Sequence, residues 1–212
     1  SIQRRFQKII EESPAPKIEQ SIIDEMAESA VNFVTNQKYE GAGTIEYIYD
    51  IDNKKFYFLE MNTRIQVEHP VTEAVTNFDL VAMQIKFALN MSINTIEQSK
   101  INKSGHAIEC RLYAEDPTKN FLPSPGKITK LEIPNTGLHN IRLDIGVDEG
   151  DEISFYYDPM IAKIISKGAT RTECINNMIQ YLKGLKLEGI STNKYFLISV
   201  LQNESFENAI YN

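Results

Sequence analysis

The chain has 212 residues, of which 42% are hydrophobic and 24% are charged, and its formal net charge is -7. This balance is typical of a soluble globular protein, and it excludes a disordered tail, a fibrous repeat and a disulfide-built miniature. No run reaches the roughly 20 apolar residues that a membrane span needs, and the acidic surface argues against a nucleic-acid groove. We therefore expect no membrane and no nucleic acid among its partners.

The two cysteines, Cys110 and Cys174, lie far apart and have no metal-binding spacing. Free cysteines are usually buried, and unpaired thiols are typical of reducing compartments. We expect two buried thiols and a cytoplasmic protein, or a mitochondrial matrix protein if the source is eukaryotic.

The first half of the chain is predicted to combine helices with a hairpin. Apolar residues recur at helical spacing from about 18 to 37, and Gly41 to Gly43 then interrupts the pattern. The predicted elements are an extended segment at 1–10 with a turn at 13–16, a helix at 18–37, hairpin strands at 44–49 and 55–62, and a helix at 79–89.

The second half follows a polar connector at 99–105 and is dominated by short strands. The predicted elements are strands at 106–114, 126–133, 140–147, 152–154 and 160–167, a helix at 170–185 and a further helix that begins near 192. We predict an α+β chain with one unit at 1–102 and a second at 103–212.

The most informative stretch carries polar side chains at every second position. In an extended chain, alternate side chains share one face, so these residues would line a single surface, which we call the polar wall. The opposite hairpin strand would bring Glu46 to it, and two carboxylates with an amide oxygen suit Mg²⁺ and a nucleotide. By spacing alone, a hairpin surface residue is an equally good interpretation of Glu46. The wall consists of Glu46, Glu60, Asn62, Arg64, Gln66 and Glu68.

Two charged residues of the wall suggest anion chemistry. The planar guanidinium of Arg64 suits a carboxylate, a phosphate or bicarbonate. An ionised Glu68 on the same face could remove a proton from that anion, and the alternative is a structural ion pair between the two. The proline after His69 predicts extended backbone at this point.

Five segments in series resemble the biotin carboxylase family, a branch of the ATP-grasp enzymes. The closest resemblance is to the biotin carboxylase portion of an acyl-CoA carboxylase, more than to pyruvate carboxylase. The implied fold is the C-terminal half of an ATP-grasp domain at 1–102, followed by the biotin carboxylase C-terminal domain at 103–212. The segments are SIQRRFQKIIEESPAP at 1–16, GAGTIEY with EMNTRIQVEHPVTE at 41–47 and 60–73, GHAIECRLYAEDP at 105–117, FLPSPGKI at 121–128 and YYDPMIAKII at 156–165.

The resemblance implies that MgATP and bicarbonate form carboxyphosphate, and that carrier-bound biotin is then carboxylated. By motif match, Glu46 and Glu60 would bind ATP, and with Asn62 they would hold Mg²⁺ or Mn²⁺. Glu68 would be the base and Arg64 the catalytic arginine. The remaining implied roles are bicarbonate binding by Lys8, Arg64, Gln66 and the backbone of Val67, and stabilisation of the biotin anion by Arg111.

The resemblance also implies partners, namely a biotin carboxyl carrier domain, a carboxyltransferase component that selects the acyl-CoA, and a second copy bound through the C-terminal unit. Phe6 stands where family members often carry a nucleotide-contacting histidine, so it receives no nucleotide role. The family's Rossmann-like domain, glycine-rich lid and ATP-gripping lysines would precede Ser1. We therefore expect the chain to be inactive, or nearly so, in isolation.

Two alternatives remain. One is another ATP-grasp ligase, such as half of a carbamoyl-phosphate synthetase, which also activates bicarbonate but does not account for the segments at 105–117 and 156–165. The other is a non-catalytic module that dimerises or docks a biotin carrier.

Overall fold

A computed structural model describes residues 1–91, 98 and 101–210. The predicted connector at 99–105 therefore lies partly outside the described residues. The elements of the first half are β1 (Ile2–Arg4), β2 (Gln7–Ser13), α1 (Gln20–Asn36), β3 (Thr44–Asp50), β4 (Lys55–Asn62), α2 (His69–Thr76) and α3 (Leu80–Ala88).

The second half contains most of the short strands, as expected, and the α+β class is confirmed. Its elements are β5 (His106–Tyr113), β6 (Glu115–Asp116), β7 (Leu122–Pro123), β8 (Gly126–Lys127), β9 (Lys130–Glu132), β10 (Ile141–Ile145), β11 (Glu152–Ile153), β12 (Met160–Gly168), α4 (Arg171–Gly184), β13 (Lys186–Glu188), α5 (Lys194–Leu201) and α6 (Glu204–Glu207).

The opening segment is a hairpin rather than one extended strand. Arg5 and Phe6 both have positive φ, at 50° and 64°, and form the turn between β1 and β2. Two consecutive residues of this kind are the signature of a tight hairpin turn. Neither is Gly, Asn or Asp, so the usual sequence signal for such a turn is missing.

A five-stranded antiparallel sheet organises the chain, in the order β1-β2-β5-β12-β10. The first two strands precede the predicted unit boundary at 103, and β2 pairs directly with β5 beyond it. The sheet therefore draws strands from both sides of that boundary, which stays a prediction.

One face of this sheet is apolar and carries the main core. Ile108, Cys110 and Leu112 alternate along β5 and belong to the same cluster as Cys174 and Met178 of α4. Both cysteines are free and fully buried, as the sequence suggested. Burial raises the pKa of the Cys174 thiol to about 11, which keeps it protonated and unreactive.

The opposite face of the sheet is covered by α2 and is partly charged. Val71 and Val75 of α2 pack against Ala107 of β5. Glu109 and Arg111 follow at two-residue steps along β5 and so share the face of Ala107. Charged side chains are thus placed between the sheet and the chain segment that leads into α2.

The β3–β4 hairpin packs against α1 on one side only. The rings of Phe33 in α1 and Phe58 in β4 lie 5.5 Å apart. Ile48 and Tyr57 face each other across the hairpin and are about half exposed. Across the described part of the chain, every helix is too short or too polar to cross a bilayer.

Candidate active site

The hairpin places the two candidate metal carboxylates side by side. Glu46 on β3 is the register partner of Glu60 on β4, so their side chains emerge together. The Asn62 amide, two residues further along β4, donates to Glu60 Oε1 at 2.9 Å and to Glu46 Oε1 at 3.2 Å. Strand pairing alone thus assembles these three residues.

The extended wall does not continue past Asn62, where β4 ends. The chain turns, and α2 begins at His69 with Pro70 in its first turn. The expectation of extended backbone at His69–Pro70 was wrong, because the first turn of a helix has no use for the proline's missing N–H. The same feature explains why α2 was not predicted.

Gln66 and Glu68 nevertheless reach the hairpin carboxylates by way of this turn. The Gln66 amide donates to Glu46 Oε1 at 3.1 Å. Lys8 of β2 donates to Glu46 Oε1 and to Glu68 Oε1, both at 2.8 Å. A single ammonium group therefore joins the sheet, the hairpin and the turn before α2.

Glu68 lies between two cations. Its Oε1 accepts from Lys8, and its Oε2 accepts from Arg111 Nη2 at 3.0 Å. Burial opposes ionisation of Glu68, but the hydrogen bond from Lys8 and the charges of Lys8 and Arg111 outweigh it and lower the pKa of Glu68. Burial likewise opposes the charge of Lys8, but its two carboxylate partners outweigh it and raise the pKa of Lys8. Both groups are charged at neutral pH.

Arg64 lies apart from this ion-pair network. Its Nη1 donates to Gln66 Oε1 at 3.3 Å and to the Ile65 carbonyl at 3.2 Å. Within the described part of the chain, no ion pair joins Arg64 to Glu68; Lys8 and Arg111 take that position instead. The geometry therefore disfavours the structural ion pair and leaves the exposed Arg64 guanidinium available to an anion.

Val67 enters the site through its backbone. Its carbonyl accepts from Lys163 Nζ of β12 at 3.2 Å, and the same ammonium lies 3.5 Å from Asp144 Oδ2 of β10. This contact ties the turn before α2 to the central sheet.

The oxygen atoms of Glu46, Glu60 and Asn62 fit a magnesium ion. Hard divalent cations prefer carboxylate and amide oxygens, and Mg²⁺ usually keeps positions for water and substrate phosphates. The residues described by the structure contain no cluster of three or more His, Cys, Asp or Glu side chains that could enclose a metal. Two carboxylates with an amide match an ion that is shared with a nucleotide.

A cavity of about 500 Å³ opens beside the wall. Arg64, Gln66 and Glu68 line one side of it, and Met83 and Phe87 of α3 line another. Its polar end therefore coincides with the candidate anion site.

Sequence reasoning missed three charged residues of this region, namely Glu11, Glu109 and Lys163. Glu11 forms an ion pair with Arg111 Nη2. Glu109 shares the Arg111 face of β5, and Lys163 is the register partner of Arg111 on β12. The two-residue spacing of Glu109 and Arg111 in a predicted strand was an available signal for one of them. The other two depend on strand pairing.

Comparison with known families divides the chain into two matched regions. Residues 109–212 match the family described as biotin carboxylase C-terminal domain. Residues 1–96 match the family described as carbamoyl-phosphate synthase L chain, ATP binding domain. Together they cover nearly the whole chain.

Curated relatives of several kinds are similar over the full chain. Biotin carboxylase 1 of Bacillus subtilis is 47% identical over 212 residues, which are 100% of this chain and 46% of that protein. The propionyl-CoA carboxylase alpha chain of human mitochondria is 44% identical, with 97% and 28% covered. A pyruvate carboxylase component of Methanothermobacter thermautotrophicus is 46% identical, with 97% and 41% covered. The chain thus spans about half the length of its bacterial relative.

Solved structures agree. A biotin carboxylase complex from Campylobacter jejuni has a TM-score of 0.93 at 42% identity and covers 100% of this chain and 46% of that chain. The biotin carboxylase domain dimer of Hydrogenobacter thermophilus 2-oxoglutarate carboxylase, in complex with MgADP, ADP and bicarbonate, has a TM-score of 0.95 at 36% identity, again covering 100% and 46%.

Proposed function

We propose that this chain, which belongs to the biotin carboxylase family, supplies the bicarbonate- and biotin-facing half of an enzyme that uses ATP to carboxylate carrier-bound biotin. The observation that carries the proposal is Glu68, held ionised between Lys8 and Arg111 next to the paired carboxylates Glu46 and Glu60. The match of 109–212 to the biotin carboxylase C-terminal domain favours this reaction over carbamoyl-phosphate synthesis.

Bicarbonate would bind at the polar end of the cavity. The exposed Arg64 guanidinium offers a planar donor set for an oxyanion, with the Gln66 amide and the Val67 backbone beside it. Lys8 supplies a second positive charge between Glu46 and Glu68. An ionised Glu68 is then placed to accept the bicarbonate proton, which makes bicarbonate a nucleophile for the terminal phosphate of ATP.

Glu46, Glu60 and Asn62 would hold the magnesium or manganese ion that accompanies ATP. When bound, such an ion neutralises phosphate charge and aligns the transferred group. What these residues do themselves is to keep two carboxylates in register on adjacent strands, oriented by the Asn62 amide.

Arg111 would serve the second half of the reaction. Its guanidinium is mostly buried and anchored by Glu11 and Glu68, so its position is fixed before biotin arrives. A fixed positive charge stabilises the negative charge that develops on the ureido oxygen when biotin attacks carbon dioxide.

The partners of this function would be a biotin carboxyl carrier domain, a carboxyltransferase component and a second copy of the chain. The dimer in the Hydrogenobacter thermophilus structure supports the last of these. An acyl-CoA carboxylase is the assembly that the sequence motifs favour, and the pyruvate carboxylase relative is as similar as the propionyl-CoA carboxylase relative. The two free thiols favour a reducing compartment, either the cytoplasm or the mitochondrial matrix.

The test is Glu68→Gln in a full-length enzyme that contains this chain. Loss of a general base typically costs about 10²–10⁴-fold, so bicarbonate-dependent ATP turnover should fall by at least about 100-fold. Glu25→Gln on the exposed surface of α1 is the control, and it should leave turnover unchanged. Both variants should melt at the same temperature. Retained turnover in Glu68→Gln would exclude Glu68 as the base.

A further inference from the structure

Two carboxyl groups face each other inside the central sheet. Glu11 of β2 and Glu109 of β5 are register partners and are only 4% and 0% exposed. Side chains directly opposite each other in antiparallel strands have Cβ atoms about 4.5–5.5 Å apart. Two carboxylates that are both ionised at this separation, away from water, repel each other strongly.

The charges around this carboxyl pair stabilise only one of its members. Arg111 of β5 forms its ion pair with Glu11 and also binds Glu68, which precedes α2. Lys163 of β12 directs its ammonium to the Val67 carbonyl and to Asp144 of β10. Among the described residues, nothing donates a hydrogen bond to either carboxyl oxygen of Glu109, and both oxygens are buried.

We propose that Glu11 and Glu109 together hold one proton, carried on Glu109, and that Glu109 is thereby a positioning residue for Arg111. The pair then carries a single negative charge, located on Glu11, which anchors the guanidinium. A second negative charge on Glu109 would cancel the positive charge that Arg111 directs towards Glu68 and the substrate. The shared proton follows from the contacts, whereas the role towards Arg111 rests on the proposed function.

The pKa values point in the same direction. Burial and the charge of Glu11 raise the pKa of Glu109 to about 9, against the opposing charges of Lys163 and Arg111. Burial raises the pKa of Glu11 to about 7, although Arg111 lowers it. The folded chain therefore keeps a proton on Glu109 that the unfolded chain releases above the ordinary value of 4.5. Because the folded state binds the extra proton, the free energy of unfolding should decrease as pH rises from about 4.5 to about 9.

The direct test is a ¹³C NMR titration of the chain labelled at the glutamate carboxyl carbons. At pH 7 to 8, one resonance should keep the chemical shift of a protonated carboxyl group and should be missing in Glu109→Gln. Glu11→Gln should lower the titration midpoint of that resonance, because it removes the facing charge. If every glutamate resonance has the shift of a carboxylate at pH 7, the proposal is wrong. The Glu11→Gln titration decides the matter even if Glu109→Gln folds poorly.

The functional test is the pH profile of the full-length enzyme. Above about pH 9 the KM for biotin should rise in the unmodified enzyme while bicarbonate-dependent ATP cleavage without biotin changes less. In Glu109→Gln this alkaline rise should disappear, whereas Glu25→Gln should retain it. Identical profiles in all three proteins would overturn the positioning role. If the unmodified enzyme shows no bicarbonate-dependent ATP cleavage, the proposed function fails, and the NMR result still decides where the proton is.

Discussion

At the scale of single residues, the charge partners of Glu68 decide what the site can do. The sequence pattern suggested Arg64, four residues away along an extended strand. The structure pairs Glu68 with Lys8 and Arg111, which are 60 and 43 residues distant. Because these two cations keep Glu68 ionised, Arg64 has no carboxylate to neutralise and can bind an incoming anion.

Arg111→Lys in the full-length enzyme tests the division of labour between the two cations. A lysine keeps the charge but loses the planar donor set that bridges Glu11 and Glu68. We expect biotin carboxylation to fall by about tenfold or more, since one bridging charged hydrogen bond contributes roughly 1.5–3 kcal/mol. Bicarbonate-dependent ATP cleavage should fall much less.

The comparison needs both rates measured on the same protein preparation, with and without free biotin. Arg111→Ala is the less informative variant, because it leaves Glu11 buried without its cation and threatens the fold. Equal losses in the two rates of Arg111→Lys would contradict a specific role at biotin.

At the scale of elements, the turn between β4 and α2 converts a strand pattern into a binding site. Asn62 ends β4 and His69 begins α2, so Gln66 and Glu68 project from a turn. α2 is secured over the sheet by Val71 and Val75 against Ala107. The start of β5 is therefore an element that the site depends on.

Gly105→Ala should disturb that start. Gly105 precedes β5 with a φ of 72°, and an added Cβ would clash with the Gly168 carbonyl at the end of β12. Strain of this kind costs about 1–3 kcal/mol before the clash is counted. We expect the free energy of unfolding, measured by urea titration, to fall by more than about 1 kcal/mol.

Gly146→Ala is the matched control for this substitution. Gly146 lies in a loop after β10, its φ is not positive, and an added Cβ would meet nothing within 4 Å. Its effect should stay within about 0.5 kcal/mol, as for other surface substitutions. Equal stabilities of the two variants would mean that the entry to β5 relaxes around an added methyl group.

At the scale of the whole molecule, the two halves differ in how well they are covered. The main core lies between the sheet and α4, whereas α1 and α3 contain no fully buried residue. Ile48 and Tyr57 form a half-exposed apolar pair on the hairpin. Since the chain spans about half of its bacterial relative, we expect the rest of the ATP-grasp domain to cover this surface in a complete enzyme.

The isolated chain should therefore bind a hydrophobic dye such as ANS and associate with itself in gel filtration. The double variant Ile48→Thr/Tyr57→Thr should reduce both effects with little change in melting temperature, because threonine suits a strand and the pair is half exposed. Tyr195→Thr, at an exposed position of α5, should change dye binding less. A monomeric chain that binds no dye would contradict this expectation.

Much of the architecture could be predicted from local patterns. The period of apolar residues located α1, α3 and α4, and the alternation in two adjacent segments predicted the hairpin that pairs Glu46 with Glu60. These features depend on residues a few positions apart, whose mutual geometry is set by the backbone of a helix or a strand. The series of motifs likewise led to the biotin carboxylase family.

The charge network of the site was decided only by the tertiary structure. Which cation meets Glu68, and which carboxyl group faces Glu11, depends on the register of strands that are about 100 residues apart in the chain. A shift of one residue in that register would turn Glu109 to the opposite face of the sheet. The register is selected by burial of the alternating apolar residues of β5 against α4, and this long-range packing has no local signature.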